Sequence, residues 1–188
     1  MSRFFVRAAA IESGAVTFDA DETRHLSRVL RLGPGDLVVA VDGDGRELTV
    51  RLTAVGPRSA AGAIVDARVR PAESPLRLTL VQGLPKADKM DVIVRMATEL
   101  GVARVVPIIT ERSVPRALPE RVAARLDRWQ RVAREAAKQC GRAVVPEVVA
   151  PLPVAVWLAA TAPEGLVVCL WESATVALAD LLPPPPVA

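Results

Sequence analysis

Tyrosine is absent from this chain, and phenylalanine and tryptophan occur only three times each. A packed interior must therefore be built from Val, Leu, Ile and Ala, and a sheet of stacked aromatic rings for reading bases lacks its material. Histidine occurs once, at His25, and cysteine twice, at Cys140 and Cys169. No metal-ligand spacing can be assembled from so few, which excludes a zinc site. Lysine is scarce as well: Lys86, Lys89 and Lys138 are the only lysines among 24 cationic side chains. An arginine-favouring genome explains that bias, and so does a need for planar forks that fit phosphates and base edges. Long apolar runs are missing. The start of the chain holds none suited to a signal peptide, and Pro151 to Trp171 is interrupted by Pro153, Pro163, Glu164 and Gly165. A membrane span is thereby excluded and a cytosolic compartment expected. No Walker loop, dinucleotide-binding glycine motif or nucleophile elbow is present either.

What is present suits a folded chain with a polyanionic partner. Hydrophobic residues make up 51% of the 188 and charged residues 24%, which is ample for a core. The net charge is +3 and the isoelectric point about 9.4, a mild basic balance. Residues 1–72 alternate as short strands at Arg3–Val6, Val16–Phe18, Leu37–Val41, Glu47–Ala54 and Ala63–Arg68. The Asp42-Gly43-Asp44-Gly45 run supplies a hairpin, and glycine turns between many short strands predict a small barrel. One helix interrupts them, with Asp21 as its N-cap, His25, Leu26, Val29 and Leu30 on one face, and Gly33-Pro34-Gly35 as its stop. Pro71 to Pro75 reads as a linker.

From residue 73 onward the pattern becomes strand–helix–strand, which predicts a parallel α/β sheet. Strands are expected at Leu76–Gly83, Val105–Ile109, Pro146–Val149 and Leu166–Leu170. Helices are expected at Asp88–Leu100, about Pro119–Cys140 and around Val154–Ala160. In the first, Met90, Ile93, Val94, Ala97 and Leu100 share a face; in the second, the face includes Trp129 and Cys140. The three tryptophans read as core anchors and both cysteines as inert. The predicted fold class is thus α/β with an N-terminal β-barrel, divided as 1–72 and 73–188.

Ligands of open parallel sheets sit beyond the carboxyl ends of the strands, here Gly83–Asp88, Thr110–Pro115 and Trp171–Thr175. Lys86 and Lys89 precede a helix N-terminus and read either as a phosphate clamp or as solvated loop lysines. Arg112 beside Glu111 reads alone as a surface pair. Between Arg112 and Arg142 stand nine cations (Arg112, Arg116, Arg121, Arg125, Arg128, Arg131, Arg134, Lys138, Arg142) against Glu120, Asp127 and Glu135. That imbalance is a candidate RNA face as well as a solvated one. His25, on an apolar helix face, reads as structural.

The ordered pieces Arg3-Phe4-Phe5-Val6, His25-Leu26-Ser27-Arg28-Val29-Leu30-Arg31, Gly33-Pro34-Gly35-Asp36 and Asp42-Gly43 recur with a second group. That group is Lys86-Ala87-Asp88-Lys89-Met90, Thr98-Glu99-Leu100-Gly101-Val102, Pro107 to Ser113, Arg128 to Ala133, Gln139 to Arg142 and Val145-Pro146-Glu147. Together they resemble the bacterial small-subunit ribosomal RNA (uracil-N3-)methyltransferases, knotted SPOUT proteins with a PUA-like N-terminal domain. The resemblance implies a PUA-like RNA-binding barrel, a homodimeric SPOUT methyltransferase domain, S-adenosylmethionine as donor and a uridine of small-subunit ribosomal RNA as acceptor, without metal or membrane. It implies RNA contacts from Arg3, Arg24, Arg28, Arg31, Lys86, Lys89 and Arg142. It places Arg112 near the chemistry and Leu170, Trp171 and Glu172 at the entry to the donor pocket. In the family, a Gly-Pro-Glu-Gly-Gly loop, a second donor-binding loop and a C-terminal helix follow the proline-rich segment. Nothing after Leu182 matches these, so donor binding by the 188 residues is expected to be weak or nil.

The chemistry implied is in-line methyl transfer to uracil N3, whose proton must leave before the nitrogen becomes a good nucleophile. Cationic groups that accommodate charge on the uracil oxygens favour that step, once the base has been splayed into reach. The residues identify no general base. Two other readings stand beside this one: an RNA-binding protein with a remnant α/β domain, and an unrelated α/β enzyme acting on a small metabolite. Donor affinity separates the first from the enzyme, and indifference to RNA would mark the second.

Overall fold

In the computed structural model, residues 2–43, 45–69, 73–86, 88–111, 119–160 and 165–182 are described. Strand β1 (Arg3–Phe5) buries Phe4 and Phe5, neighbours that a pleated strand points to opposite faces. Its sheet is therefore covered on both sides at this edge. Strands β2 (Ile11–Glu12), β3 (Ala15–Phe18), β4 (Leu37–Val41), β5 (Arg46–Val55) and β6 (Ala60–Val69) complete it in the order β1-β4-β5-β6-β3-β2. The β1–β4 pair is parallel and the rest antiparallel. Gly43 and Gly45, with φ of 85° and 106°, turn β4 into β5. Among the described residues the expected closed barrel is not formed: β1 and β2 are the two edges of one open path. A helical segment helps cover the core instead, contributing Leu26 and Leu30 to a cluster with Phe4, Phe18, Val38, Val50 and Leu52.

That segment departs from the periodicity reading in three ways. Helix α1 (Ala20–Arg24) is capped by Asp19 and not by Asp21, for the Asp19 carboxylate accepts the N–H groups of Asp21 and Glu22 at 3.1 and 2.9 Å. It runs into a π-helical turn, His25–Val29, closed by the Leu30 N–H on the His25 carbonyl at 3.1 Å. The wider turn leaves Leu26 fully buried and swings Val29 out to 67% exposure. Arg31 then takes φ of 55° and ends the helix before Gly33 is reached.

The second sheet is parallel. Strand β8 (Arg104–Ile109) is central, with β7 (Thr79–Gly83) on one edge. On its other edge lie β9 (Glu147–Val148) and β10 (Leu152–Pro153). Val148 pairs Val105 and Leu152 pairs Ile108, so β9 and β10 act as one strand interrupted by a single-residue slip. Helices α2 (Lys89–Glu99) and α3 (Pro119–Cys140) bury Met90, Val94, Ala97, Trp129 and Ala133 with Val105 and Val148. Leu100 and Cys140 lie beyond that face and are exposed, at the points where Gly101 and Gly141 reverse the chain with φ of 91° and 79°.

A third cluster joins the two sheets: Phe5, Val39 and Val41 pack on Ala137 of α3, with Val145 at the rim. Residues 1–154 thereby make one compact unit, and residues 155–188 a second. In the second, α4 (Val154–Ala160) carries over from the first and α5 (Leu178–Leu181) follows. Leu166–Leu170 is not a strand. With no neighbour to complete its ladder among the described residues, Leu166, Val167 and Leu170 stand 53–83% exposed, Cys169 is exposed, and Trp171 is 63% exposed instead of anchoring a core. No described helix is long and apolar enough to cross a membrane.

Candidate nucleic-acid interface

The α1 segment is fixed from below and cationic above. Leu26 is buried, the Thr23 hydroxyl donates to the Phe18 carbonyl at 3.3 Å, and Ser27 donates to Thr23 at 2.7 Å. His25 lies with its ring 5.7 Å from that of Phe4, a packing role. Arg24, Arg28 and Arg31 all project to solvent, and Arg24 also meets Asp21 at 3.2 Å. Three exposed guanidinium groups on an anchored segment are suited to phosphate contact, where fixed geometry lowers the entropic cost of binding.

The remaining cations of the sequence reading divide. Arg3 faces inward, with Nη2 2.8 Å from Glu47 and Nη1 donating to the Gly141 carbonyl at 3.1 Å. Arg142 binds the Glu73 carboxylate through Nε and Nη2, the shortest contact being 2.6 Å, and its Nη1 donates to the carbonyls of Thr98 and Val102 at 2.9 Å each. Along α3, Lys138 meets Glu22, Arg134 covers the Phe5 ring at 5.3 Å, and Arg128 meets Asp88 and Asp91 at 3.5 and 2.5 Å. Much of the basic excess of this helix is thus bound to acids and rings within the fold. Glu22, Glu47 and Glu73, which hold Lys138, Arg3 and Arg142, went unread because those partners lie 116, 44 and 69 residues away.

At the carboxyl edge of the parallel sheet the register brings the ends of three strands level: Gly83 pairs Ile108, and Pro153 pairs Ile109. Lys86 and Lys89 are exposed in the loop and first turn that leave β7, and Glu111 is exposed just beyond β8. Arg112, the candidate catalytic residue, lies outside the described residues, as do Arg116, Pro71 and Pro183 to Pro186. In the second unit, Leu170, Trp171 and Glu172 do come together. They line a concavity of about 440 Å³ with Val168, Val176 and Leu178.

An anchored cationic segment on a β-rich sheet, packed against a parallel sheet whose strands end level, is an architecture suited to a nucleic-acid partner. The comparisons make it specific. The model of the RNA methyltransferase domain matches residues 72–184, and that of the RNA methyltransferase PUA domain matches residues 18–65. The chain is 28% identical over 151 residues to ribosomal RNA small subunit methyltransferase E of Bacillus subtilis, covering 79% of this chain and 59% of that protein. It is 34% identical over 150 residues to the protein of the same name from Synechocystis, covering 80% and 48%. A crystal structure of ribosomal RNA small subunit methyltransferase E from Neisseria gonorrhoeae bound to S-adenosyl methionine superposes with a TM-score of 0.78 at 34% identity. It covers 87% of this chain and 67% of that one. The chain belongs to the RNA methyltransferase family. It spans 59% and 48% of the length of the two curated relatives.

Proposed function

We propose that this chain serves the S-adenosylmethionine-dependent methylation of uridine N3 in small-subunit ribosomal RNA. Residues 1–72 would grip the RNA as a PUA-like domain, and residues 73–188 would belong to a SPOUT-type transfer domain that works as a pair of copies. One juxtaposition carries the reading. A sheet matching the PUA model holds Arg24, Arg28 and Arg31 outward, and a parallel sheet matching the methyltransferase model is packed against it. The boundary is put at 72/73, since β6 ends at Val69, β7 starts at Thr79 and no strand is shared.

On this reading Arg24, Arg28 and Arg31 bind phosphates on one side and Lys86 and Lys89 on the other. Arg3 stays with Glu47 and ties the first sheet to the Gly141 carbonyl, and Arg142 stays with Glu73 and braces residues 73–188. Arg112 is assigned to the uracil by resemblance. A guanidinium there stays charged and offsets negative charge that develops on a uracil oxygen as N3 loses its proton. Leu170, Trp171 and Glu172 do not by themselves fit the whole donor. Their concavity offers apolar surface and one carboxylate, but no cation among its described lining for the donor's own carboxylate, and no step of the transfer is assigned to it. That feature favours a second reading, an RNA-binding protein without catalysis, which calorimetric titration with donor separates from the first.

The test is RNA binding as a function of salt. Affinity for a helix of small-subunit ribosomal RNA is expected to fall steeply with salt. Arg28→Ala with Arg31→Ala should weaken it and flatten the slope by about 1 for each phosphate that is no longer neutralised. A parental slope in the double variant overturns the assignment of this face.

A further inference from the structure

Lys138, near the end of α3, is the one lysine of the chain that does not reach solvent. Its Nζ lies 2.8 and 2.9 Å from the two Glu22 oxygens, and the two side chains are 8% and 10% exposed. Glu22 also accepts the Phe5 N–H at 3.3 Å, and the Phe4 ring centroid lies 5.6 Å from Nζ. The pair sits in the junction beside the apolar cluster of Phe5, Val39, Val41 and Ala137.

Stability alone does not call for it. Two charges taken from water recover little net energy from each other, and apolar replacements often serve as well. Apolar surfaces, however, can slide past each other. A carboxylate held by a backbone N–H and gripped through both oxygens fixes a register. What it fixes here is specific. Glu22 sits three residues before the π-helical turn that carries Arg28, on a helix already capped by Asp19. Lys138 sits on the helix whose Trp129 and Ala133 lie in the core of the parallel sheet. The pair therefore ties the cation-bearing segment directly to the frame that carries Lys86 and Lys89.

We propose that Glu22 and Lys138 are positioning residues, a charged latch that holds Arg24, Arg28 and Arg31 at one distance and angle from Lys86 and Lys89, so that a single RNA is held by both sheets at once. This rests on the RNA reading above. Two linked contacts add their binding free energies only when their spacing matches the ligand, and a hinged junction forfeits that gain.

The experiment pairs a distance with an affinity. Spin labels go on Arg58→Cys and Glu99→Cys, exposed positions on the two sheets, with Cys140 and Cys169 replaced by serine. The distance distribution is expected to be narrow in the parent and broad in Lys138→Met. Glu22→Gln, which keeps an acceptor for Phe5, should show a smaller broadening and guards against loss of fold. Affinity for a ribosomal RNA helix long enough to reach both sheets should fall about tenfold in Lys138→Met, while a short oligonucleotide confined to the Arg28 face binds as before. An unchanged distribution with parental affinity, or an equal loss for both RNAs, overturns the latch. If the parent binds neither RNA, the RNA reading fails, and the width of the distribution still decides whether the latch exists.

Discussion

Replacing Arg142 by methionine removes the guanidinium and keeps most of the apolar stem. The side chain is 10% exposed and makes bonds of 2.9 Å to the carbonyls of Thr98 and Val102, residues 0% and 4% exposed. Thr98 keeps the Gly101 N–H at 3.1 Å, so the loss falls on the Val102 carbonyl and on Glu73. A buried acceptor left without its donor costs ~1–3 kcal/mol, and breaking a buried ion pair costs ~3–5 kcal/mol. Glu73 is 26% exposed, so water recovers part of its share and the net loss falls below the ~4 kcal/mol minimum of the two costs added, to about 3 kcal/mol. At this chain length each kcal/mol moves the melting temperature by ~2–4 °C, so the expected drop is ~6–12 °C. Thermal and urea denaturation of Arg142→Met, Glu73→Gln and the double variant should show coupling of about 1–2 kcal/mol between the two sites. RNA affinity, measured well below the melting temperature, should change little. A variant as stable as the parent but with impaired RNA affinity would refute this reasoning and return Arg142 to the RNA face.

Asp19→Ala should cost about 1 kcal/mol through loss of the helix cap, whereas Asp21→Ala should cost less than about 0.5 kcal/mol, as an exposed surface change; equal effects would contradict the assigned cap. Gly62→Ala should destabilise by about 1–3 kcal/mol or more, because an added Cβ would meet the Arg51 carbonyl oxygen at 2.6 Å where β5 and β6 are irregular. A neutral result in urea denaturation would mean that the strands part there without cost.

In the first sheet β3 was legible from its one buried and one exposed face, with Val16 and Phe18 buried between exposed Ala15 and Thr17. By contrast, β1 and β4 are buried on both faces and were read from apolar runs, and the two-residue β2 was missed. Helices α2 and α3 were legible from their apolar faces and glycine stops. What failed was local or long-range in character. A π-helical turn breaks the 3.6-residue period, so Val29 was misplaced, and Asp19 and Asp21 are equally good caps on paper. The run Leu166–Leu170 has a strand's composition, but a strand exists only with a partner. Of the candidate site, the exposed Lys86 and Lys89 were readable as cations before a helix N-terminus, whereas Arg24, Arg28 and Arg31 were singled out only by the family resemblance. That Arg3, Lys138 and Arg142 turn inward depends on glutamates far along the chain, and pairing of that kind leaves no mark in any short window.

The role proposed for this chain is N3-methylation of a small-subunit ribosomal RNA uridine. The most direct measurement is nucleoside analysis of that RNA from cells with and without the gene encoding the chain. N3-methyluridine should be present in the parent, absent after disruption and restored when the gene is returned. An undiminished N3-methyluridine signal in the disrupted strain would contradict the account.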